Sequence, residues 1–184
     1  MAIYFTSDTH FGHGNIIDYE NRPFATTDDM DALLIHNVNK RVKPADTLYH
    51  LGDFAVGQGR HKVSCIKQVL SRIACDHVHL VLGNHDPKDS RSLLDCGFAS
   101  VSQIFDVSCN GYRFVLCHYP FLEWPGFYRG SYHLHGHVHE DGSYNLDMRD
   151  KHHIRRYDVG VDANRYAPVS VDEIIEFFNG DPGL

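Results

Sequence analysis

Short clusters of acidic, histidine and asparagine residues punctuate this chain, and each follows a run of apolar residues with β-strand character. The first run, Ala2–Ser7, ends at Asp8-Thr9-His10. The other clusters are Gly52-Asp53, Gly83-Asn84-His85-Asp86, His118 and Gly136-His137-Val138-His139. In an open α/β sheet, the loops beyond the carboxyl ends of the strands line a common crevice. The pattern therefore predicts an α/β chain in which Asp8, Asp53 and Asn84 converge.

The side chains in these clusters are typical ligands of divalent metal ions. They offer Asp, His and Asn donors and no thiolate, a set suited to hard or borderline ions. Seven candidate ligands exceed the four of a tetrahedral site and suit two ions that share a bridge. Asp53 is the expected bridge, because it stands alone in its motif with ligand clusters on either side. The sequence thus predicts a two-metal hydrolytic centre.

The length and composition predict the general class of protein. The 184 residues, of which 42% are hydrophobic, suit a single globular domain over residues 1–184. No segment approaches the roughly 18 apolar residues of a membrane span, and we expect neither a membrane segment nor a secretory signal. The five cysteines form no CxxC pair and are odd in number. This usage indicates reduced thiols and predicts a cytoplasmic location.

The formal net charge of −7 bears on the partners. It disfavours the broad basic surface of general nucleic-acid binders, so extended nucleic-acid binding is not expected. Two bound divalent ions would offset part of the negative charge inside a pocket. Small anionic substrates therefore remain compatible with the composition.

Hydrophobic periodicity divides the chain into a first half that alternates strand and helix and a second half that is mainly strand. Predicted strands cover residues 2–7, 46–51, 77–82, 101–107, 112–117 and 132–135. Predicted helices cover residues 27–41, 62–73, 90–94 and 171–178. Asn110-Gly111 predicts a tight hairpin turn. The polar stretch 140–156 is the best candidate for a mobile loop.

The clusters DxH, GD, GNHD, a lone His and GHxH, in this order over residues 8–139, resemble the motifs of the calcineurin-like metallophosphoesterases. The resemblance implies an α/β fold in which two mixed β-sheets pack as a sandwich flanked by helices. The segments TSDTHFGHGNII and NRPF are similar to those of a small stand-alone bacterial and phage subfamily. Most members of that subfamily are only predicted phosphoesterases, so the substrate stays undefined.

The resemblance also implies a role for each motif residue. The first ion would be held by Asp8, His10, Asp53 and His139, and the second by Asp53, Asn84, His118 and His137. His85 would protonate the leaving group, and Asp86 would orient the His85 imidazole. Manganese is the expected ion, and Fe, Zn, Co or Ni also suit such ligands.

The implied activity is that of a metal-dependent phosphoric ester hydrolase. A metal-bridging hydroxide would attack a phosphodiester or a small phosphomonoester, with a diester favoured and a nucleotide among the candidates. Two alternatives remain: a nuclease that acts on RNA or DNA ends, which the acidic charge disfavours, and a non-catalytic protein-binding scaffold. The intact motif set disfavours the scaffold, because such relatives lose the histidine at the position of His85 or several ligands.

Further residues near the motifs are candidates for weaker roles. His13, Asn15 and Arg22 could contact the phosphate or the leaving group. Alternatively, Asn15 caps a short helix and Arg22 forms a surface ion pair. Tyr119 lines the pocket or belongs to the core, and His133 and His135 either support the ligands or pack in the interior.

Overall fold

A computed structural model describes residues 1–57 and 59–180. These residues form nine strands and six α-helices. The strands are β1 (Ile3–Thr6), β2 (Thr47–His50), β3 (His77–Val81), β4 (Ser100–Ser102), β5 (Ile104–Cys109), β6 (Tyr112–Cys117), β7 (Tyr132–His135), β8 (Arg156–Asp158) and β9 (Val169–Ser170). The helices are α1 (Asn15–Tyr19), α2 (Thr27–Arg41), α3 (Gly59–Leu70), α4 (Ser90–Cys96), α5 (Gly142–Asp150) and α6 (Val171–Asn179). No described helix is long and apolar enough to cross a bilayer.

The strands form two mixed sheets flanked by helices, which confirms the predicted fold class. One sheet has the order β4-β3-β2-β1-β9, with β1 to β4 parallel and β9 antiparallel to β1. The other has the order β5-β6-β7-β8, in which only the β5–β6 pair is antiparallel. The parallel pairing places the carboxyl ends of β1, β2 and β3 at one edge of the first sheet. In the same way, it places the carboxyl ends of β6 and β7 at one edge of the second sheet.

Strand alternation sends apolar side chains to two cores, one on each face of the first sheet. Tyr4 and Leu48 pack with the helices α2 and α3 on the outer face. Phe5 and Tyr49 point the other way and pack with the second sheet, where the rings of Phe5 and Phe114 lie 5.8 Å apart. The inner core therefore holds the two sheets together as a sandwich.

Most predicted elements are confirmed within a few residues, and the termini of α2 and α6 show why. The Thr26 hydroxyl caps α2 by accepting the Asp29 backbone N–H at 3.1 Å. Ser170 and Glu173 form a capping box at α6. The predicted hairpin is also present, with positive φ at Asn110 and Gly111 between β5 and β6.

The predicted strand 101–107 is two strands that belong to different sheets. The chain changes sheet at Gln103, between β4 and β5. There the Ser102 hydroxyl donates to the Ile104 carbonyl at 2.8 Å. Neither glycine nor proline marks this corner, so the side-chain alternation runs through it without interruption.

The structure contradicts the loop predicted for residues 140–156, because this stretch contains α5. The Asp141 side chain caps the helix by accepting the Ser143 N–H at 2.8 Å. The buried Asn145 then exchanges two hydrogen bonds, of 2.7 and 2.9 Å, with the backbone of Asp158. These contacts join α5 to β8, a strand that the periodicity also missed, as it missed the two-residue β9.

Two buried histidines are neutral parts of the interior. His50 hydrogen-bonds the Thr9 hydroxyl at 2.9 Å, and His133 donates from Nδ1 to the Val115 carbonyl at 2.9 Å. Burial, together with the nearby His118, lowers the pKa of His50 to about 3. Burial also lowers the pKa of His133 to about 4. These two histidines therefore stay unprotonated in the folded state at pH values where they bind protons in the unfolded chain, which titrates near pH 6.5.

We expect acid to destabilise the fold through these histidines. Each folded-state pKa lies below the unfolded value, so the contribution of each histidine is intact above about pH 6.5 and is lost as the pH falls toward its folded-state pKa. At pH 5 each removes about 2 kcal/mol of unfolding free energy. Urea unfolding of metal-stripped protein at pH 7.5 and 5 measures this loss. In His50→Gln, the loss of unfolding free energy between pH 7.5 and 5 should be about 2 kcal/mol smaller than in the wild type. In the exposed-site control His36→Gln, this loss should not become smaller. An unchanged loss in His50→Gln contradicts the assignment.

Candidate metal centre

The loops that follow the parallel strands meet at one edge of the sandwich. Backbone hydrogen bonds of 3.0 Å connect the Asp8 N–H to the Gly52 carbonyl and the His10 N–H to the Asp53 carbonyl. In the second sheet, the Gly136 N–H donates to the His118 carbonyl at 3.0 Å. The convergence expected from the sequence is therefore produced by direct contacts between the motif loops.

The first group of ligand atoms comprises Asp8, His10 and His139, with their donor atoms within 4.8 Å of one another. Asp8 Oδ1 lies 3.7 Å from His139 Nε2. Asp8 Oδ1 and His10 Nε2 are buried and have no hydrogen-bond partner among the described residues. Two orphaned electron-pair donors in one buried site fit a cation, because an unsatisfied buried polar atom is otherwise costly.

The second group comprises Asp8, Asp53 and His118, and Asn84 adjoins it. His118 Nδ1 lies 2.8 Å from the Leu51 carbonyl oxygen, so Nδ1 carries the proton and Nε2 a lone pair. That lone pair faces Asn84 Oδ1 at 2.9 Å. Two acceptors in this arrangement fit a shared cation, which supports a second ion beside the first.

Asp8 is a member of both groups, and Asp53 belongs to the second group but also faces the first. Asp53 Oδ2 is 3.6 Å from His10 Nε2 on one side and 3.6 Å from His118 Nε2 on the other. Its Oδ1 accepts the His85 backbone N–H at 2.8 Å. One carboxylate therefore faces both ligand groups and also holds the loop that carries His85.

His137 reaches the site from its exposed side. Its backbone N–H donates to Asp8 Oδ2 at 3.0 Å. Its ring packs edge-on against His118 and Tyr119, with centroids 5.1 and 4.8 Å apart. Burial and the neighbouring His118 lower the pKa of His137, which favours the neutral, metal-binding form.

Five of the seven predicted ligands adopt left-handed backbone conformations. These are Asp8 (φ 57°), His10 (φ 50°), Asp53 (φ 54°), His137 (φ 75°) and His139 (φ 50°). For residues with a side chain this conformation costs about 1–2 kcal/mol each, and such strain concentrates at functional sites. The surrounding fold imposes the geometry of the site.

Two motif glycines are required by close approach. A Cβ on Gly83 would lie 2.3 Å from Asp53 Oδ1, and one on Gly136 would lie 2.2 Å from Asp8 Oδ2. Each added methyl group would thus displace a candidate ligand. The close approach to Asp53 thus explains why a glycine precedes Asn84.

Asp162 orients His139, a role that the motif search missed. Its Oδ2 accepts from His139 Nδ1 at 3.0 Å, which leaves Nε2 free to face Asp8. Burial opposes protonation of His139, but the hydrogen bond to Asp162 and the charge of Asp8 raise its pKa. Asp162 follows the segment Tyr157–Val161, in which Asp158 interrupts the apolar residues, so the pattern of an apolar run followed by a carboxylate was only partly present.

Arg22 lies beneath the Asp8 loop, with 3% of its surface exposed. It contacts both carboxylate oxygens of Asp162 at 2.7 and 2.8 Å and donates to the carbonyls of Asp8 and Thr9. Its remaining N–H points to Met30 Sδ. The guanidinium is therefore fully occupied in positioning Asp162 and the Asp8 loop, away from the cleft where the predicted substrate contact would require it.

We expect Asp162→Asn to weaken metal binding by about 10–100-fold, as loss of an outer partner of a histidine ligand typically does. The amide cannot replace the carboxylate that both Arg22 and His139 contact. Metal titration followed by elemental analysis measures the effect. The matched control is Asp147→Asn, which removes an exposed carboxylate paired with Lys151 and should leave metal affinity unchanged. Equal metal affinity in the two variants contradicts the role of Asp162.

His85 and Asp86 occupy different environments. The His85 side chain is 50% exposed, and its Nε2 lies 4.0 Å from Asp53 Oδ2. Asp86 is buried and accepts the backbone N–H groups of Asp53, Phe54 and Gly83 at 2.8–3.0 Å. Within the part of the chain that the structure describes, the Asp86 carboxylate thus bonds to backbone amides and not to the His85 imidazole, the partner expected from the resemblance. Asp86 joins two motif loops.

The remaining candidates lie at the rim of the site or in the interior. His13 Nδ1 is 3.4 Å from His10 Nδ1, whereas Asn15 is exposed at the start of α1 and does not cap it. Tyr119 is 43% exposed and packs against His118, so it faces the site. His133 and His135 stack on each other inside the second sheet and bond to backbone carbonyls.

Burial keeps His10, a member of the first ligand group, in its neutral form. Burial, with smaller contributions from His139 and Arg22, lowers the pKa of His10 to about 2, so its imidazole is neutral. Burial raises the pKa of Asp8 and, together with the charge of Asp8, raises that of the neighbouring Asp158 to about 8. A positive ion would relieve the concentration of carboxylates here.

Comparisons with known proteins agree with this architecture. Uncharacterized protein MJ1445 of Methanocaldococcus jannaschii is 32% identical over 176 residues, or 95% of this chain and 89% of that protein. The structure of AQ665 from Aquifex aeolicus, a protein of unknown function, has a TM-score of 0.72 and 28% identity, covering 95% of this chain and 98% of that one. No family model matches the chain.

A more distant structure bears on the fold alone. A protein described as a novel archaeal phosphodiesterase has a TM-score of 0.51 and 17% identity, covering 93% of this chain and 99% of that one. Its fold is shared by this chain, whose ordered motifs converge at one edge of the sandwich. The chain therefore belongs to one family with MJ1445.

Proposed function

We propose that this protein is a two-metal phosphoesterase that hydrolyses phosphodiesters. The observation that carries the proposal is the position of Asp53, whose Oδ2 lies 3.6 Å from a histidine of each ligand group. A carboxylate shared between two groups of N and O ligands suits a pair of divalent ions about 3.5–4 Å apart.

The residues fit such a pair. Asp8, His10, Asp53 and His139 would hold one ion, and Asp53, Asn84, His118 and His137 the other. Bound ions would supply positive charge for the phosphate and lower the pKa of a water molecule. We expect manganese, although Fe, Zn, Co and Ni suit the same donors. The five cysteines are free thiols, in keeping with the proposed cytoplasmic location.

His85 is the residue that we assign to the leaving group. Its backbone is fixed by Asp53, whereas its half-exposed imidazole faces the open side of the site. A histidine in this position can donate a proton to the departing alkoxide as the P–O bond breaks. Asp86 supports this role indirectly, because it holds the backbone on either side of the cleft.

The full engagement of the Arg22 guanidinium favours a diester over a monoester. Arg22 has all its donors engaged, so it adds no free guanidinium for a phosphate dianion. A diester carries one negative charge and requires less compensation. We therefore place phosphodiesters first and small phosphomonoesters second.

The test is hydrolysis of bis-p-nitrophenyl phosphate and p-nitrophenyl phosphate by metal-stripped protein with Mn²⁺ added back. We expect diester turnover that requires the metal and saturates near two ions per chain. Elemental analysis supplies the ion count, and parallel titrations with Zn²⁺, Co²⁺ and Ni²⁺ rank the metals. Two bound ions with no turnover of either ester would contradict the proposed activity.

A further inference from the structure

A cavity of about 610 Å³ opens beside the Asn84 side of the metal centre. Its walls are mainly apolar and include Pro87, Ile104, Tyr119 and Phe121. It lies where the ends of β3 and β6 approach the corner between β4 and β5. The volume is within the range of small-molecule sites, which are largely apolar with a few polar groups.

The aromatic side of this cavity is built in advance. The Phe121 N–H donates to His133 Nε2 at 3.0 Å, and the Phe121 carbonyl accepts from Arg156 at 2.9 Å. The Phe121 and His133 rings stack at 5.0 Å with planes 6° apart. Tyr119 packs edge-on against His118 and remains 43% exposed. Two aromatic rings are thus held in the cavity wall next to a candidate metal ligand.

Two polar side chains in the cavity lining lack partners. Lys88 and Gln103 are exposed there, and neither makes a hydrogen bond or ion pair with another described residue. The Gln103 amide offers both donors and an acceptor, and the Lys88 ammonium offers a positive charge. The cavity therefore combines flat apolar surfaces with groups able to recognise a polar edge and an anion.

This combination distinguishes among ligand classes. An alkyl chain would cover the apolar walls but leave the amide and the ammonium without partners. A sugar would satisfy the polar groups and can stack one C–H face on an aromatic ring, but it covers flat apolar walls less completely than a planar base does. A nucleobase meets both requirements, since it stacks on aromatic rings and has donors and acceptors along its edge.

We propose that this cavity binds the base of a small nucleotide whose phosphate lies at the metal centre. The inference rests on the proposed phosphodiesterase function and names its substrate class. The net charge of −7 favours a small nucleotide over the end of a nucleic acid, because a polynucleotide needs a wide basic surface.

The test compares inhibition of bis-p-nitrophenyl phosphate turnover by adenosine 5′-monophosphate and by ribose 5-phosphate, which differ only by the base. We expect the nucleotide to have an inhibition constant at least about tenfold lower. Tyr119→Ala and Gln103→Ala should each bring the ratio of the two constants toward one. Tyr119→Phe should preserve the ratio because it retains the ring.

The matched control is Leu122→Ala, which truncates an 88% exposed side chain next to Phe121 but outside the cavity lining. It should leave the ratio unchanged. The ratio is the useful quantity because Tyr119 also packs against His118, so its removal can alter metal binding and affect both inhibitors equally.

A second measurement separates this inference from the proposed function. Saturation-transfer NMR measures the binding of adenosine to metal-stripped protein, with ribose as the comparison ligand. This measurement requires neither metal nor turnover. We expect saturation transfer to the protons of the adenine base. Equal inhibition constants without transfer to adenosine would overturn the base pocket while diester turnover persists. Absent turnover with intact adenosine binding would overturn the function alone. If an oligonucleotide inhibits more strongly than the mononucleotide, and its inhibition depends steeply on salt, the proposed small-nucleotide substrate is wrong. The substrate would then be the end of a nucleic acid.

Discussion

Asp53→Asn is expected to weaken both metal positions at once and to abolish diester turnover. Asparagine keeps an oxygen that can accept the His85 N–H, so the loop should stay in place. The substitution removes the negative charge that faces both His10 and His118. Loss of a shared ligand should exceed the roughly 100-fold effect of losing an outer partner. Elemental analysis and Mn²⁺ titration should show fewer than two ions per chain.

Thermal unfolding supplies an independent readout for Asp53→Asn. Without metal, removal of one of several neighbouring buried carboxylates should leave the melting temperature equal to or above that of the wild type, since the charge of Asp53 acts on Asp8. The rise in melting temperature on adding Mn²⁺ should largely disappear. The matched control is Asp106→Asn, which removes an exposed carboxylate paired with Arg113. Two fully occupied ions in Asp53→Asn would disprove the bridging role.

His85→Ala is expected to keep both ions and to reduce turnover of diesters with an alkyl or nucleoside leaving group by about 10²–10⁴-fold, the usual contribution of a positioned general acid. The side chain is half exposed and lies outside both ligand groups, so its removal should not disturb metal content. Elemental analysis and initial rates, measured on the same preparation, give the two quantities. His36→Ala on the exposed face of α2 serves as the control.

The leaving group sharpens the test of His85. A p-nitrophenolate departs with little protonation, whereas an alkoxide needs a proton as the P–O bond breaks. The rate loss in His85→Ala should therefore be larger for an alkyl or nucleoside leaving group than for p-nitrophenol. An equal loss for both, or loss of metal, would show that His85 acts in another way.

Motif order was sufficient to predict the fold class and the convergence of the ligand loops. Asp8, Asp53 and Asn84 each follow one of the parallel strands of the first sheet, so their meeting is a property of topology. The partners of side chains were less accessible to sequence reasoning. Asp86 adjoins His85 in sequence but bonds to the amides of a loop more than thirty residues away.

The pairing of Arg22 with Asp162 was also inaccessible to sequence reasoning, because the two residues lie far apart in the chain. They are 140 residues apart, and their pairing depends on how the end of β8 meets the loop after β1. The bridge between Ser7 and Gly160 creates this approach. No local pattern around either residue specifies the other, so neither the burial of Arg22 nor the role of Asp162 could be read from spacing. The helix α5 was missed for a related reason, because its anchor is the contact between Asn145 and Asp158.

The left-handed backbone at five candidate ligands sets a limit on directed evolution of this protein. A selection for heat resistance alone would favour glycine at these positions, because glycine adopts the same backbone without strain. Every such gain would remove a candidate metal ligand. Libraries aimed at a more robust enzyme should therefore keep Asp8, His10, Asp53, His137 and His139 fixed and seek improvement elsewhere in the scaffold.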